Sequence, residues 1–257
     1  MHTGLNRLKS HGGKSKRYRH RLIHLFAGLI LFGVSIAVML AAGLGVDSWD
    51  VFHQGVAERT GISFGWVVNG ISIGVLLFWI PLRERPGIGT IANALIVGVV
   101  ADLTLRLMST PEELLAQFVL LAVGIVTNGA ATGLYIGAGL GAGPRDGLMT
   151  GLSVRTGWSI RTIRTGIEIM VLSAGWALGG PVGVGTLAYA LSIGPLIQFF
   201  LVRFDIDTGD TGQPARRLLQ PATARSRRPA GNTYSPHRSV RRVGDRPGVQ
   251  RGPRGRT

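Results

Sequence analysis

Six apolar runs constrain this chain more than any other feature: Leu22–Ala42, Gly65–Leu82, Thr90–Leu107, Leu114–Ala138, Ser159–Leu178 and Thr186–Val202. A helix rises 1.5 Å per residue, so about 20 apolar residues cross a hydrocarbon core of about 30 Å, and each run comes near that length. The tryptophans agree with this reading, because indole rings prefer the headgroup level. Trp66 and Trp79 flank the second run, Trp158 and Trp176 flank the fifth, and Trp49 lies in the first polar connection. The pattern predicts an all-α membrane protein with six transmembrane helices.

The formal charge of +15 on 257 residues suggests a nucleic-acid binder until it is located along the chain. Residues 1–22 hold seven Lys/Arg and no acid, residues 203–257 hold thirteen arginines against four aspartates, and the stretch between them carries about −1. The part able to pack a core therefore offers phosphates no net charge, and nucleic acid is not the partner this distribution favours. The C-terminal segment is rich in Arg, Pro and Gly with no apolar pattern, so disorder is expected there. Both basic tails suit anionic lipid headgroups. The absence of cysteine removes disulfides, thiol nucleophiles and Cys-ligated metals.

Shifting the sequence by 96 positions superimposes its two halves without a gap. Gly45 falls on Gly141, Asp50 on Asp146, Gly55 on Gly151, Arg59-Thr60-Gly61 on Arg155-Thr156-Gly157, and Gly87-Ile88-Gly89-Thr90 on Gly183-Val184-Gly185-Thr186. Apolar composition can align leucines by chance, but not an aspartate, an Arg-Thr-Gly and two G-x-G-T turns at one offset. The divisions that follow are a basic N-terminal tail (1–21), a first three-span repeat (22–107), a second (108–203) and the C-terminal tail (204–257). A first span with a counterpart in the second half reads as retained, not as a cleaved signal peptide. Three spans per repeat would make the second half enter the membrane from the opposite side, giving two inverted repeats. With both termini cytoplasmic, Arg83, Arg85, Arg145 and Arg155 fall on inner connections, as the positive-inside rule asks.

After the first span of each half comes a segment too polar to cross, yet spaced as a short amphipathic or re-entrant helix: Trp49, Phe52, His53 and Val56 share one face. Each is entered through a glycine break, Gly43 and Gly45 in one half and Gly139, Gly141 and Gly143 in the other, and Gly61 and Gly157 suit its end. Pro144 suits the first helical position. Paired breaks in inverted halves point to a substrate site, because broken helices expose oriented backbone dipoles inside the membrane. Asp50 and Asp146 at these breaks are candidates for contacting a substrate or ion. The competing reading is that each, at about the third helical position behind Asp47 or Gly143, merely stabilises its helix N-terminus.

Glu168 falls about midway along the fifth run, where an ionisable group must pair or face a cavity. Arg164, one turn earlier, is placed to pair with it. Asp102 and Arg106 at the end of the third run suit snorkelling to the interface. Asn69, Asn93 and Asn128 suit bonds between helices, and Gly124, Gly129, Gly133 and Gly137 share a face for close helix approach; a homo-oligomer is a further expected assembly. Thr90 and Thr186 suit N-caps. The histidines His20, His24 and His53 are expected near the membrane ends, and no carboxylate dyad, His-x-x-x-His pair or Ser/His/Asp set shares a face. Neither metal, cofactor nor catalytic residues are expected.

The doubled set GLG…D…G…RTG…S followed by G-x-G-T resembles the YczE/YyaS/YitT group of bacterial integral membrane proteins. The likeness spans about residues 22–203 and is sharpest at Gly139–Leu148 and Arg155-Thr156-Gly157, whereas Asp47-Ser48-Trp49-Asp50 replaces Gly-Pro-Arg-Asp in the first half. It implies a bacterial cytoplasmic-membrane location and a permease-like body, without a substrate. The expected function is a non-enzymatic pathway for a small molecule or ion; the alternative is a scaffold or accessory protein engaging partners.

Overall fold

The computed structural model describes residues 4–204, with side chains from residue 18 on. Eight helices and no strand occur among them: α1 (Gly4–Ala42), α2 (Ser48–Thr60), α3 (Phe64–Leu82), α4 (Ile88–Leu105), α5 (Leu114–Gly137), α6 (Pro144–Thr156), α7 (Ile160–Ala177) and α8 (Val184–Phe204). The expectation of disorder beyond residue 204 lies outside the described residues. All six apolar runs are helical, with ends within three residues of those expected, except that α1 continues back to Gly4.

Five helices are long and apolar enough to cross a membrane: Tyr18–Ala42 within α1, and α3, α4, α5 and α8. α7 has the length, 18 residues, but Arg161, Arg164 and Glu168 keep it out of that class. Large apolar side chains such as Leu77, Phe78, Leu191 and Phe199 face outward on the apolar helices, as lipid-facing residues must. The chain is thus an integral membrane protein. Trp66, Trp158 and Trp176 are exposed, in keeping with an interfacial belt, but Trp79 and Trp49 are not. The Trp79 ring lies against Gly147 and its Nε1 donates to the Pro144 carbonyl at 3.1 Å.

α1 packs along α5 and α4, and α5 along α8; α2 packs on α7, and α3 on both α6 and α4. The core follows α1, where Leu25, Leu29, Ile36 and Met39 are sealed from solvent. Small residues permit the close contacts, but not along one face of α5 as expected. Gly124 meets Met39 of α1, whereas Gly129 and Gly133 meet Leu196 and Phe200 of α8. A helix turns about 100° per residue, so five residues carry Gly129 well away from Gly124.

The 96-residue offset reappears in the hydrogen bonds. Gly185 N donates to the Leu44 carbonyl at 2.7 Å, and Gly89 N to the Leu140 carbonyl at 2.9 Å. Arg59 Nε donates to the last turn of α7 at the Leu178 carbonyl, 3.1 Å, and Arg155 donates to the Pro81 carbonyl at the end of α3. Each Arg-Thr-Gly motif thus places a cation on the negative end of a helix belonging to the other half. The breaks before α2 and α6 run through Gly43 and Gly45, and Gly139 and Gly141, all at positive φ, where a Cβ would strain the backbone. Gly61 and Gly157 end both short helices in the left-handed conformation. Thr90 and Thr186 are not N-caps. The helices start two residues earlier, and each hydroxyl instead accepts from the N–H three residues back, Gly87 at 3.2 Å and Gly183 at 3.3 Å.

Candidate functional site

The site is built where the N-terminal ends of α2 and α6 meet. Asp47 caps α2, its Oδ1 accepting from Asp50 N at 2.7 Å; Gly143 precedes Pro144 at the start of α6. The capping reading placed Asp50 and Asp146 at about the third helical position, and both aspartates stand there. Helix dipoles favour carboxylates at such ends.

What the capping view omits is Arg145. From α6 it reaches across to α2, with Nη1 3.3 Å from Asp47 Oδ2 and Nη2 3.5 Å from Asp50 Oδ1. Its guanidinium lies 5.0 Å from the centroid of the Trp49 ring, a cation–π stack. Trp49 and Arg145 are counterparts at the 96-residue offset, so the halves differ at the position where they touch. Asp50 Oδ1 also lies 3.1 Å from His53 Nδ1. His53 is fully buried in the site. Asp47 and Asp50 likewise form a carboxylate pair on one guanidinium, an association that needed the second half to complete it.

Asp146 accepts from the Tyr135 hydroxyl of α5 at 3.1 Å. Nearby, Tyr189 of α8 donates to Asn128 Oδ1 at 3.0 Å, and Asn128 Nδ2 donates to Ser35 Oγ of α1 at 2.9 Å. Asn69 similarly ties α3 to α4, donating to the Leu95 carbonyl at 3.0 Å and accepting from Gly98 N at 3.1 Å. The cross-helix use of Asn69 and Asn128 is thus as expected, whereas no such bond is made by Asn93 among the described residues. Arg164 and Glu168 pair at 2.8 Å on α7. Among the described residues no hydrogen bond or ion pair joins them to the α2–α6 cluster.

Burial dominates the electrostatics. It pushes the Asp47 carboxyl up to about 6, with the Asp50 charge adding and Arg145 opposing. It raises Asp50, again against Arg145, and it holds His53 neutral, well below the usual imidazole range. Two carboxylates sharing one cation leave an uncompensated charge in a low-dielectric setting, which favours taking up a proton or a cationic group. His53 Nε2 and Trp49 Nε1 are buried without a hydrogen-bond partner, so the cluster has unused polar capacity.

Asp102 does more than snorkel. It accepts from Ser63 Oγ at 2.5 Å and Gly65 N at 2.6 Å, capping α3 from α4. Sequence spacing pointed to its own helix neighbour Arg106, whereas its partners lie 39 and 37 residues away.

Three relatives cover most of the chain. An uncharacterized protein of Haemophilus influenzae is 40% identical over 185 residues, covering 72% of this chain and 84% of its own length. The uncharacterized membrane protein YczE of Bacillus subtilis is 35% identical over 181 residues, 68% of this chain and 83% of its own. The uncharacterized protein YyaS of the same organism is 26% identical over 181 residues, 68% of this chain and 89% of its own. No solved structure matches the chain. Residues 19–202, which include every helix contributing to the site, match the model of a family of unknown function, DUF6198. The chain therefore belongs to this YczE-type family of membrane proteins.

Proposed function

We propose that the chain is a non-enzymatic, permease-like transporter of a small molecule or ion, built from six spans in two inverted three-helix repeats, with both termini in the bacterial cytoplasm. The observation that carries this reading is the contact of Arg145 with Asp47 and Asp50, which joins the N-terminal ends of two broken-helix segments, one from each repeat. Two broken-helix ends brought together around an incompletely neutralised charge are what a polar solute needs once it leaves water. The reciprocal bonds Gly185–Leu44 and Gly89–Leu140 support an internal two-fold relation. α7 counts as the sixth span in this reading, its charges turned to a polar space.

In this account one bundle rocks on the other around Asp50, Asp146 and Glu168, with Arg164 paired to Glu168. Thermal-melt shifts of the purified protein against a metabolite and ion panel test it. A stabilising compound whose shift is lost in the Asp146→Asn/Glu168→Gln double variant is expected. No shift from any compound, or the same shift in the variant, contradicts the site and favours a scaffold role.

A further inference from the structure

The two repeats treat one seam differently. In the first, α3 lies tightly on α4: Gly65 and Gly98 bring the two backbones together, Asn69 bonds to Leu95 and Gly98, and Asp102 clamps Ser63 and Gly65 at the far end. In the second repeat the counterpart helices α7 and α8 have no comparable packing. The counterpart residues explain why. Arg161 stands for Gly65, Thr165 for Asn69 and Gln198 for Asp102, so the close approach, the amide bridge and the clamp are all missing.

Exposure follows the same division. Ala94 and Gly98 are buried, whereas their counterparts Ala190 and Gly194 are exposed, and nothing lies within 4 Å of where a Gly194 Cβ would be. Val68 and Ser72 are buried, but the residues in their places are Arg164 and Glu168, 51% and 38% exposed. α7 and α8 are joined by a short turn at one end, so the seam opens at the other, beside Arg161. In the topology proposed above that end is cytoplasmic. A charged pair about 6–12 Å along a spanning helix is costly against lipid tails but not against water. The other side of α8 meets a contrasting surface, an apolar groove of about 550 Å³ shared with α5 and lined by residues such as Leu121, Ile125 and Leu196.

We infer that the α7–α8 seam is a water-filled crevice, open toward the cytoplasm, through which hydrophilic solutes reach Arg164–Glu168 and then Asp146, while the α3–α4 seam stays latched. This deepens the permease reading and rests on its six-span topology. Its test reads water and not transport, so either can fail alone.

The Cys-free chain allows single thiols at counterpart positions: Ala190→Cys and Gly194→Cys in the crevice, Ala94→Cys and Ser72→Cys in the latched seam. In inside-out vesicles each is treated with a charged, membrane-impermeant methanethiosulfonate and, separately, with an apolar maleimide. Thiolate chemistry needs water, so reaction with the charged reagent should be at least tenfold faster at positions 190 and 194 than at 94 and 72. Three outcomes overturn the inference: positions 190 and 194 reacting with the charged reagent no faster than 94 and 72, reacting only with the apolar reagent, which means the seam is closed to bulk water, or reacting with neither, which means lipid or protein covers it. Melting curves of all four variants confirm that each is folded before rates are compared.

Discussion

Replacing Arg145 with Met should be among the most damaging single changes in the chain, although arginine is ordinarily a surface residue. The substitution keeps much of the side-chain volume over Trp49 and removes the one cation that Asp47 and Asp50 share, at 3.3 and 3.5 Å. Both carboxylates are buried, Asp50 to 1% exposure, so neither can recover its hydration. Removing one partner of a buried ion pair costs about 3–5 kcal/mol. For a body of this size that corresponds to roughly 6–20 °C in Tm, since each kcal/mol moves Tm by about 2–4 °C. The assay is thermal unfolding in detergent, with Arg85→Met, an exposed arginine, as the control. The loss should depend on pH with a definite sign. Asp47 is pushed up from 3.8 to about 6, so its contribution is present in acid and is lost as pH rises through about 6. Without the opposing pull of Arg145 the carboxyl titrates higher still, so the deficit should be greatest near pH 8 and smaller at pH 5. Adding Asp47→Asn and Asp50→Asn should restore most of the loss. A variant no less stable than Arg85→Met, or a deficit that grows in acid, would refute the charge balance described above.

Asp102→Ala should lower stability by about 1–2 kcal/mol, because the N-terminus of α3 loses both bonds made at 2.5 and 2.6 Å, and Asp102→Asn should lose less. Gly147→Ala sets a methyl group into the indole of Trp79, which is held by its bond to Pro144, and should cost about 1–3 kcal/mol in the same melts. Trp79→Leu in the Gly147→Ala background should recover part of that; a Gly147→Ala variant as stable as wild type would show that Trp79 is free to move.

The helices were legible because span length and glycine punctuation are local properties. Gly43, Gly45, Gly61 and their counterparts end helices through backbone conformations that depend on the residue itself, and the repeat supplied each signal twice. The site was legible only in part. Asp50 and Asp146 could be found because they recur at one offset, but Arg145 is the residue that breaks the recurrence, standing where the first half has Trp49. A search for symmetry passes over such a residue. Asp102 was only partly read for a related reason: spacing along one helix offers the i+4 neighbour Arg106, while its bonds are made to Ser63 and Gly65 at the start of α3. Gly124 was grouped with Gly129 by spacing alone, and the helical turn separates them. The seam between α7 and α8 was also written in the alignment, as Arg161 against Gly65 and Thr165 against Asn69, but its meaning needed the packed pair to show what those positions do.

The central claim is that the two halves are one unit laid into the membrane in opposite directions. Thr60 and Thr156 are counterparts, both exposed at the ends of α2 and α6, and a single cysteine at either position adds a thiol to a chain without one. Intact cells treated with a membrane-impermeant maleimide should be labelled at position 60 and at position 156 only after permeabilisation. Labelling of both positions from the same side would contradict the account.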